Sequence, residues 1–442
     1  MDHQIDDPLP RSRAANERLH ALVPGGAHTH AKYDDQFPEG LAPVIARGSG
    51  AHVWDVDGHE YVEYGSGLRS VTLGHAHPAV LDAVRRQLEA GSNFVRPSIV
   101  ELEAAERFLA TVPTMDMVKF AKNGSDVTTA AVRLARAATG RRLVAVCEEH
   151  PFFATHDWFI GVTAMPAGTS RGERADTVTF PYGDLDAVNE LLRRHPGELA
   201  CLMLEPSTVR EPPPGYLEGL RALADRDGFV LVFDEMITGF RWSAAGAQAV
   251  YGVTPDLATF GKALGNGFAV SALAGRRELM ERGGLCDPRE RVFLLSTTHG
   301  AETHALAAAV VVMDVYAAEG IAEQLHAIGA RLAAGVRSAA ASAGVADHVR
   351  LLGRSCNLVF ATLDSHGEPS QSYRTLFLRQ LILHGVLAPS FVVSSALSEV
   401  DIERTVDAVS RACAVYREAL DAGDPRPWTG GRPVKPALRP FA

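Results

Sequence analysis

The chain has 442 residues, of which 46% are hydrophobic and 22% charged, and its formal net charge at pH 7 is -10. This length is sufficient for two or more domains with sizeable cores. The acidic balance argues against non-specific binding to nucleic acid or to an anionic membrane surface. The first thirty residues contain no apolar run of the kind found in secretory signals or membrane spans, so we expect a cytoplasmic protein whose partners are small molecules.

The five cysteines are scattered and include no Cys-x-x-Cys pair, so the sequence predicts free thiols and neither a disulfide framework nor a zinc site. They are Cys147, Cys201, Cys286, Cys356 and Cys413.

Towards the amino terminus, residues 42–64 read as a strand pair with a turn at Asp57 and Gly58. Further along, short apolar runs alternate with segments of helical period, such as 128–141 and 216–228. Buried strands separated by helices predict an α/β fold, with a mixed, mostly parallel sheet in a three-layer large domain. The predicted strands are 143–147, 200–205, 229–235, 257–260, 270–275 and 292–296.

Lys262 lies in TFGKALGNGFAVSALAG, between a predicted strand and a run of small residues that allow a flat ligand to approach the backbone. Asp234 ends the apolar strand FVLVFDE, where a carboxylate is costly unless a cation compensates it. A pyridinium nitrogen is one such cation, and a metal ion or a helix start would serve equally.

Gly124 and Ser125, after Asn123, precede a predicted helix that begins near Asp126. Free N–H groups at a helix start suit a phosphate, although a plain helix cap or a glycosylation sequon has the same residues.

Two other classes of enzyme fit less well. A metal-dependent hydrolase would combine His75 and His77 with Asp234 and Glu235, but Pro78 follows the histidines and no third ligand has suitable spacing. A dinucleotide oxidoreductase needs Gly-x-Gly-x-x-Gly after a first strand, and GKALGNG has a different spacing. No metal is expected.

The motifs AKNGSD, LEP, FDEMITGFR, TFGKALGNG and STTHGAET occur in an order that resembles the class III, fold type I aminotransferases, and in particular the glutamate-1-semialdehyde 2,1-aminomutases. The separation of 28 residues between Asp234 and Lys262 (262 - 234) is specific. The resemblance implies a large domain at 66–315, a smaller α+β domain from 1–65 and 316–425, and a tail at 426–442.

The same resemblance implies pyridoxal 5'-phosphate as the cofactor, bound to Lys262 as a Schiff base. Asp234 would be the partner of the pyridinium nitrogen, and Asn123, Gly124 and Ser125 would surround the phosphate.

Two further residues have roles in the resemblance. Thr298 would reach the phosphate of a neighbouring subunit, which implies a homodimer with shared active sites. Glu205 would help the cofactor to switch between its bonds to the lysine and to the substrate. The aromatic side chain that stacks on the cofactor is either His150 or Phe152, because CEEHPFFATHDWF departs from the family pattern, and we favour His150 slightly.

The family chemistry implies a ping-pong transfer of an amino group from an amino-acid donor to a carbonyl acceptor, or the equivalent rearrangement within one molecule. Lys32 replaces the family's carboxylate-binding arginine, and Leu68 and Arg69 replace an aromatic residue and a glycine. The segment after Ser390 is also shortened. Glutamate 1-semialdehyde is therefore an improbable substrate, and we expect a ketone or aldehyde acceptor of a specialised amino-sugar, cyclitol or cyclic keto-acid pathway. Arg69 and Arg96 are candidates for holding an anionic acceptor, or they form ion pairs at a dimer interface.

Overall fold

The computed structural model describes residues 8–150, 152–300 and 302–439. The chain divides into two compact units. The first contains the residues up to Leu68, the short piece Leu73–Ala76 and the chain from Gln324 onward. The second contains Arg69–Thr72 and His77–Glu323.

The second unit is built on a seven-stranded sheet with the strand order β4-β10-β9-β8-β7-β5-β6. Strand β10 runs antiparallel to both of its neighbours, and the pairs from β9 to β6 are parallel. The strands are β4 Met117–Ala121, β5 Leu143–Cys147, β6 Thr177–Phe180, β7 Leu199–Leu204, β8 Val230–Asp234, β9 Leu257–Phe260 and β10 Ser271–Gly275.

Both faces of this sheet are buried, and successive residues of a strand enter different cores. On β7, Cys201 and Met203 pack into a cluster that includes the apolar face of the helix after β4. Leu202 and Leu204 pack into a second cluster with the helices that precede and follow β7. This alternation follows from the period of two of a β-strand, and it confirms the predicted α/β fold with a mostly parallel sheet between helical layers.

The helices of the second unit precede, separate and follow these strands. They are α3 Pro78–Ala90, α4 Ile99–Thr111, α5 Gly124–Thr139, α6 Asp157–Ile160, α7 Arg171–Ala175, α8 Leu185–Arg194, α9 Tyr216–Asp227, α10 Ala247–Tyr251, α11 Arg277–Met280 and α12 Thr303–Glu319. The α2 segment Ser66–Arg69 is a single left-handed turn through which the chain enters this unit.

The first unit contains a four-stranded sheet in the order β1-β2-β3-β13 and a separate antiparallel pair, β11-β12. The predicted turn at Asp57 and Gly58 joins β2 to β3, and β1 extends the predicted strand pair to three strands. The elements are α1 Pro10–Leu22, β1 Ile45–Ser49, β2 His52–Asp55, β3 Glu60–Glu63, α13 Ile321–Ser342, β11 Val349–Leu352, β12 Val359–Thr362, α14 Gln371–Leu383, β13 Val386–Leu387, α15 Glu399–Ala422 and α16 Arg426–Thr429.

The predicted strand at 292–296 is wrong. This segment is held by other contacts: the Val292 N–H donates to the Arg282 carbonyl, and Arg133 donates to the Phe293 carbonyl. Leu294 is buried in the core that contains α5. The apolar residues of this segment therefore pack against the core of the second unit and do not pair in a sheet.

The Ala-rich stretch after residue 300 forms two helices, α12 and α13, which are bent by 69° where Gly320 adopts φ +63°. No single helix among the described residues is long and apolar enough to cross a membrane, and these two pass such a test only as a bent pair.

Candidate active site

Asp234 ends β8 with its carboxylate buried at 3% exposure. Its Oδ1 accepts hydrogen bonds from the Met236 N–H and the Thr259 hydroxyl, both at 3.0 Å. Burial raises the pKa of this carboxyl, while the charge of Lys262 and the two donors act to lower it. Asp234 is thus fixed in orientation and faces a cationic neighbour.

Lys262 follows β9, the strand beside β8, in the connection that leads to β10. Its φ of +47° is in the left-handed region, which is uncommon for a lysine and costs free energy. Burial lowers the pKa of the amino group, and the carboxylates of Asp234 and Glu205 oppose that shift. The backbone conformation and the charges both make this lysine a candidate functional residue.

The residue before Lys262 has to be small. A β-carbon at Gly261 would lie 2.7 Å from Met236 Sδ and 3.3 Å from the Val270 carbonyl oxygen. Any side chain at position 261 would therefore displace Met236 or Val270, next to Lys262.

A cavity of about 420 Å³ lies beside these residues. It brings together Lys262, Asp234 and the three residues predicted around the phosphate. Its wall consists of Ser70, Lys122, Asn123, Gly124, Ser125, Phe152, Phe153, Asp234, Met236, Gly261, Lys262, Gly267, Phe268, Ala269, Val270 and Ser271.

One end of the cavity is the amino terminus of α5. The Asp126 carboxylate accepts a hydrogen bond from the Asn123 N–H and caps the helix, and Ser125 Oγ accepts from the Thr155 N–H. The first N–H groups of an α-helix have no partner within the helix, and its dipole favours an anion there. This 16-residue helix therefore presents an anion-binding end to the cavity that contains Lys262.

Phe152, and not His150, lies on the cavity wall. Phe152 is 47% exposed, whereas His150 is 4% exposed and packs against Phe153 and Tyr182. The geometry thus favours Phe152 for a contact with a planar ligand, against the sequence-based preference for His150. The sequence could not distinguish the two because both follow β5 within five residues.

Glu205, directly after β7, is 6% exposed. Burial first, and then the nearby Asp234 carboxylate, raise its pKa to about 8, while Lys262 and Arg69 act in the opposite direction. Burial lowers the pKa of the Arg69 guanidinium, and the Glu205 charge opposes this. Glu205, Arg69, Asp234 and Lys262 therefore belong to one electrostatic group.

Four other predicted residues are not among those that line this cavity. Thr298 is exposed, and its carbonyl accepts a hydrogen bond from Asn93 at 3.0 Å. Arg96 is also exposed. Lys32 and Leu68 belong to the first unit, while the cavity residues belong to the second.

Three contributors were missed from the sequence: Thr259, which orients Asp234; Met236, which lines the cavity; and Arg241, which is fully buried. Thr259 pairs with Asp234 in the β8–β9 ladder, so a correct strand register would have found it. Arg241 lies in the quoted GFR motif, but a single sequence does not show that it is buried.

The groups of the hydrolase hypothesis have other contacts. His75 belongs to the first unit and interacts with Glu63 at 3.3 Å, while Glu235 accepts hydrogen bonds from the Ala247 and Gln248 N–H groups. Across the described parts of the chain there is no group of three or more His, Cys, Asp or Glu side chains placed to hold a metal ion.

The chain matches the family model of class III aminotransferases over residues 37–387. It is 35% identical to a glutamate-1-semialdehyde 2,1-aminomutase of Roseiflexus castenholzii, over 93% of this chain and 99% of that protein. An omega-transaminase of Sphaerobacter thermophilus has a similar structure, with a TM-score of 0.82, 26% identity and coverage of 93% of this chain and 98% of that one. A glutamate-1-semialdehyde aminomutase of Pseudomonas aeruginosa PAO1 shares the fold, with a TM-score of 0.78, 22% identity and coverage of 93% and 96%.

The cavity, the interacting charges of Asp234 and Lys262, and these similarities define an enzyme of the pyridoxal-phosphate transferase type. The chain belongs to the class III aminotransferase family, whose cofactor is pyridoxal 5'-phosphate.

The residues present fit this cofactor. An amine, a carboxylate and an anion-binding helix end surround one cavity, and they match in kind the aldehyde, the ring nitrogen and the phosphate of pyridoxal phosphate.

Proposed function

We propose that this protein is an aminotransferase that moves an amino group from an amino-acid donor to a ketone or aldehyde acceptor of a specialised pathway. The observation that carries the proposal is the common cavity of Lys262, Asp234 and the α5 amino terminus. The acceptor class we propose is an amino-sugar, cyclitol or cyclic keto-acid precursor.

Lys262 would hold the cofactor covalently and, once released, move the proton. Pyridoxal phosphate, when bound, supplies an electron sink for the carbon that loses a proton. The lowered pKa of the Lys262 amine increases the neutral fraction that can accept this proton. The amine can then return the proton from the same position.

Asp234 would face the ring nitrogen and keep a proton on it. Its hydrogen bonds from Met236 and Thr259 occupy Oδ1, which leaves Oδ2 for this contact. The α5 amino terminus, with Gly124 and Ser125, would hold the phosphate. Phe152 would cover one face of the ring.

Three departures from the aminomutase pattern support intermolecular transfer with a different substrate. Lys32, Leu68 and Arg69 stand where that family has an arginine, an aromatic residue and a glycine. A lysine lacks the planar fork with which arginine binds a carboxylate, so the contacts to glutamate 1-semialdehyde would be lost.

The second candidate is an intramolecular aminomutase of the glutamate-1-semialdehyde type. It is favoured by the 35% identity to the Roseiflexus castenholzii protein, which extends over 99% of that relative. The two functions differ in whether the amino group leaves the enzyme on a second molecule.

We also infer a homodimer in which Thr298 serves the neighbouring site. Three exposed apolar side chains, Phe94, Val95 and Phe293, support this inference. Phe293 lies near Thr298 in sequence, and Phe94 and Val95 follow Asn93, which donates a hydrogen bond to the Thr298 carbonyl. Apolar side chains of this size are common in obligate interfaces.

The test is a pair of half-reactions on purified protein loaded with pyridoxal phosphate. A visible band that borohydride fixes to Lys262, and that is lost in Lys262→Ala, is expected. A panel of amino acids should bleach the band, and only the right carbonyl compounds should restore it. An aminomutase would instead rearrange glutamate 1-semialdehyde without a second substrate, and a protein that binds no cofactor would contradict both candidates.

A further inference from the structure

The strand order β8-β7-β5-β6 places the carboxyl ends of four parallel strands side by side at one edge of the large sheet. Asp234 ends β8, and Glu205 follows β7 directly. Because Leu204 lies opposite Phe233 in the β7–β8 ladder, Glu205 takes the next register position, beside Asp234. Backbone pairing therefore places Glu205 next to the residue that we assign to the ring nitrogen.

The Glu205 carboxylate receives no hydrogen bond from the residues that the structure describes, and the residue is only 6% exposed. A buried carboxylate without donors of its own is placed by its backbone and by packing. A residue that positions this carboxylate must therefore hold the backbone from which it extends.

The first hold on this backbone comes from β5, the strand beside β7. The Glu205 N–H donates to His150 Nδ1 at 3.0 Å, and His150 is 4% exposed. The other ring nitrogen, Nε2, is buried and has no hydrogen-bond partner among the described residues. A buried polar atom without a partner costs free energy. The ring bears this cost, and the hydrogen bond that it does make goes to Glu205.

The second hold comes from β6, one strand further along the sheet. The Tyr182 hydroxyl donates to the Pro206 carbonyl at 2.8 Å. The Tyr182 N–H donates to the Glu149 carboxylate at 2.8 Å, and the Tyr182 carbonyl accepts from Arg210 at 2.6 Å. Because both of its backbone groups are held, Tyr182 has a fixed origin from which its side chain reaches Pro206.

We propose that Tyr182 and His150 are positioning residues that clamp the Glu205–Pro206 dipeptide and thereby set the position of the Glu205 carboxylate relative to Asp234. The two hydrogen bonds hold the first N–H and the last carbonyl of this dipeptide, and the ring of Pro206 fixes φ between them. The proposal rests on the proposed function, in which Asp234 and its neighbours act on the cofactor.

The test uses the enzyme loaded with pyridoxal phosphate and removes a single oxygen atom. Tyr182→Phe keeps the ring but loses the hydrogen bond to Pro206. Tyr216→Phe is the matched control, because Tyr216 is 1% exposed and its ring centroid lies 5.4 Å from that of Tyr182. The Tyr216 hydroxyl forms no hydrogen bond with the clamped dipeptide. Glu205→Gln is the reference, because it changes the carboxylate itself.

The first readout is the donor half-reaction, followed as bleaching of the visible band by L-glutamate or L-alanine, whichever is faster. Tyr182→Phe should lower kcat at least fivefold and change the half-saturating concentration less than twofold, because the clamp acts on the reacting centre and not on donor binding. In the Glu205→Gln background, Tyr182→Phe should lower kcat less than twofold, because the group that the hydroxyl positions is already altered. Tyr216→Phe should have no effect in either background.

The second readout needs no turnover and is the pH midpoint of the visible band in the loaded enzyme. The charged groups that act on Glu205 are Asp234, Lys262 and Arg69, and all three are retained in every variant. Glu205→Gln should shift the midpoint by at least half a pH unit, because an ionisable group beside Lys262 is removed.

The clamp variants should move the same midpoint. Tyr182→Phe should shift it in the direction of Glu205→Gln. His150→Leu, which has no acceptor for the Glu205 N–H, should do the same, whereas His150→Gln keeps an acceptor and should restore the wild-type midpoint.

The proposal is overturned if Tyr182→Phe behaves as Tyr216→Phe does. It is also overturned if Tyr182→Phe lowers kcat equally in the wild-type and Glu205→Gln backgrounds, which would make the hydroxyl a general support of the fold. If Tyr182→Phe does not fold, equal midpoints for His150→Leu and His150→Gln overturn the proposal and different midpoints support it. Failure of the transaminase function gives another result, in which no amine bleaches the band but the midpoint still shifts in Tyr182→Phe.

Discussion

His150 Nδ1 accepts a hydrogen bond of 3.0 Å from the backbone N–H of Glu205. Because this nitrogen accepts, the ring proton of the neutral imidazole is on Nε2. Burial lowers the pKa of the ring to about 4. His150 is thus neutral, and its hydrogen bond fixes the backbone of Glu205 at the end of β7.

His150 should make the apoprotein sensitive to acid. The folded ring takes up a proton less readily than the unfolded chain does, so its contribution to stability is complete above pH 6.5 and is lost as the pH falls towards 4. The full shift corresponds to about 3 kcal/mol. His150→Gln retains an acceptor for the Glu205 N–H but does not titrate, so the advantage of wild type in melting temperature should shrink between pH 7 and pH 4. A constant difference over that range would contradict the assignment.

Glu205 should have the opposite effect on the alkaline side. Its folded carboxyl keeps a proton up to about pH 8, whereas the unfolded group releases it near pH 4.5, so stability falls as the pH rises through this window. Glu205→Gln resembles the protonated acid. We expect the melting temperature of this apo variant to rise relative to wild type between pH 5 and pH 9, and an unchanged difference would show that Glu205 is ionised throughout.

Replacing Phe152 should weaken cofactor binding. Aromatic contacts contribute about 0.5–1.5 kcal/mol beyond their buried area, so Phe152→Ala should raise the Kd for pyridoxal phosphate about two- to tenfold by absorbance titration. Phe152→Tyr keeps the ring and should retain the affinity. If His150→Gln loses more affinity than Phe152→Ala, the sequence-based preference for His150 is restored.

Asp234→Asn should retain the hydrogen bond from Met236 but lose the negative charge. A carboxylate beside a cation shifts pKa values by one to three units, so kcat of the donor half-reaction should fall at least about tenfold with little change in melting temperature. Asp407→Asn changes an exposed carboxylate of α15 and should leave kcat unaltered. Equal rates for Asp234→Asn and wild type would remove Asp234 from the chemistry.

Much of the second unit could be predicted from the sequence, because its strands are continuous apolar runs buried on both faces. Strands 143–147 and 257–260 have the predicted limits, and the prediction of Asp234 and Lys262 as site residues came from their places next to such runs. The family resemblance supplied the cofactor, which a lysine and an aspartate do not define by themselves.

What could not be predicted depends on contacts distant in sequence. The segment 292–296 has a strand-like composition, but its apolar residues pack into the core that contains α5 and do not pair with a strand. The exposure of Phe152 and the burial of His150 depend on Phe153 and Tyr182, which no local pattern reveals. The left-handed turn before Ser70 contradicts the conformational preferences of its non-glycine residues.

In the β8–β9 ladder, Asp234 is paired with Thr259, three residues before Lys262. The ladder therefore fixes Lys262 three residues beyond the position opposite Asp234, whatever the length of the crossover at 235–256. Insertions or deletions in the part of that crossover after Arg241 would leave this placement intact. The interval of 28 residues (262 - 234) that makes the pair recognisable in sequence is thus an inherited length and not a chemical requirement, and enzymes with the same active site can be expected to differ in it.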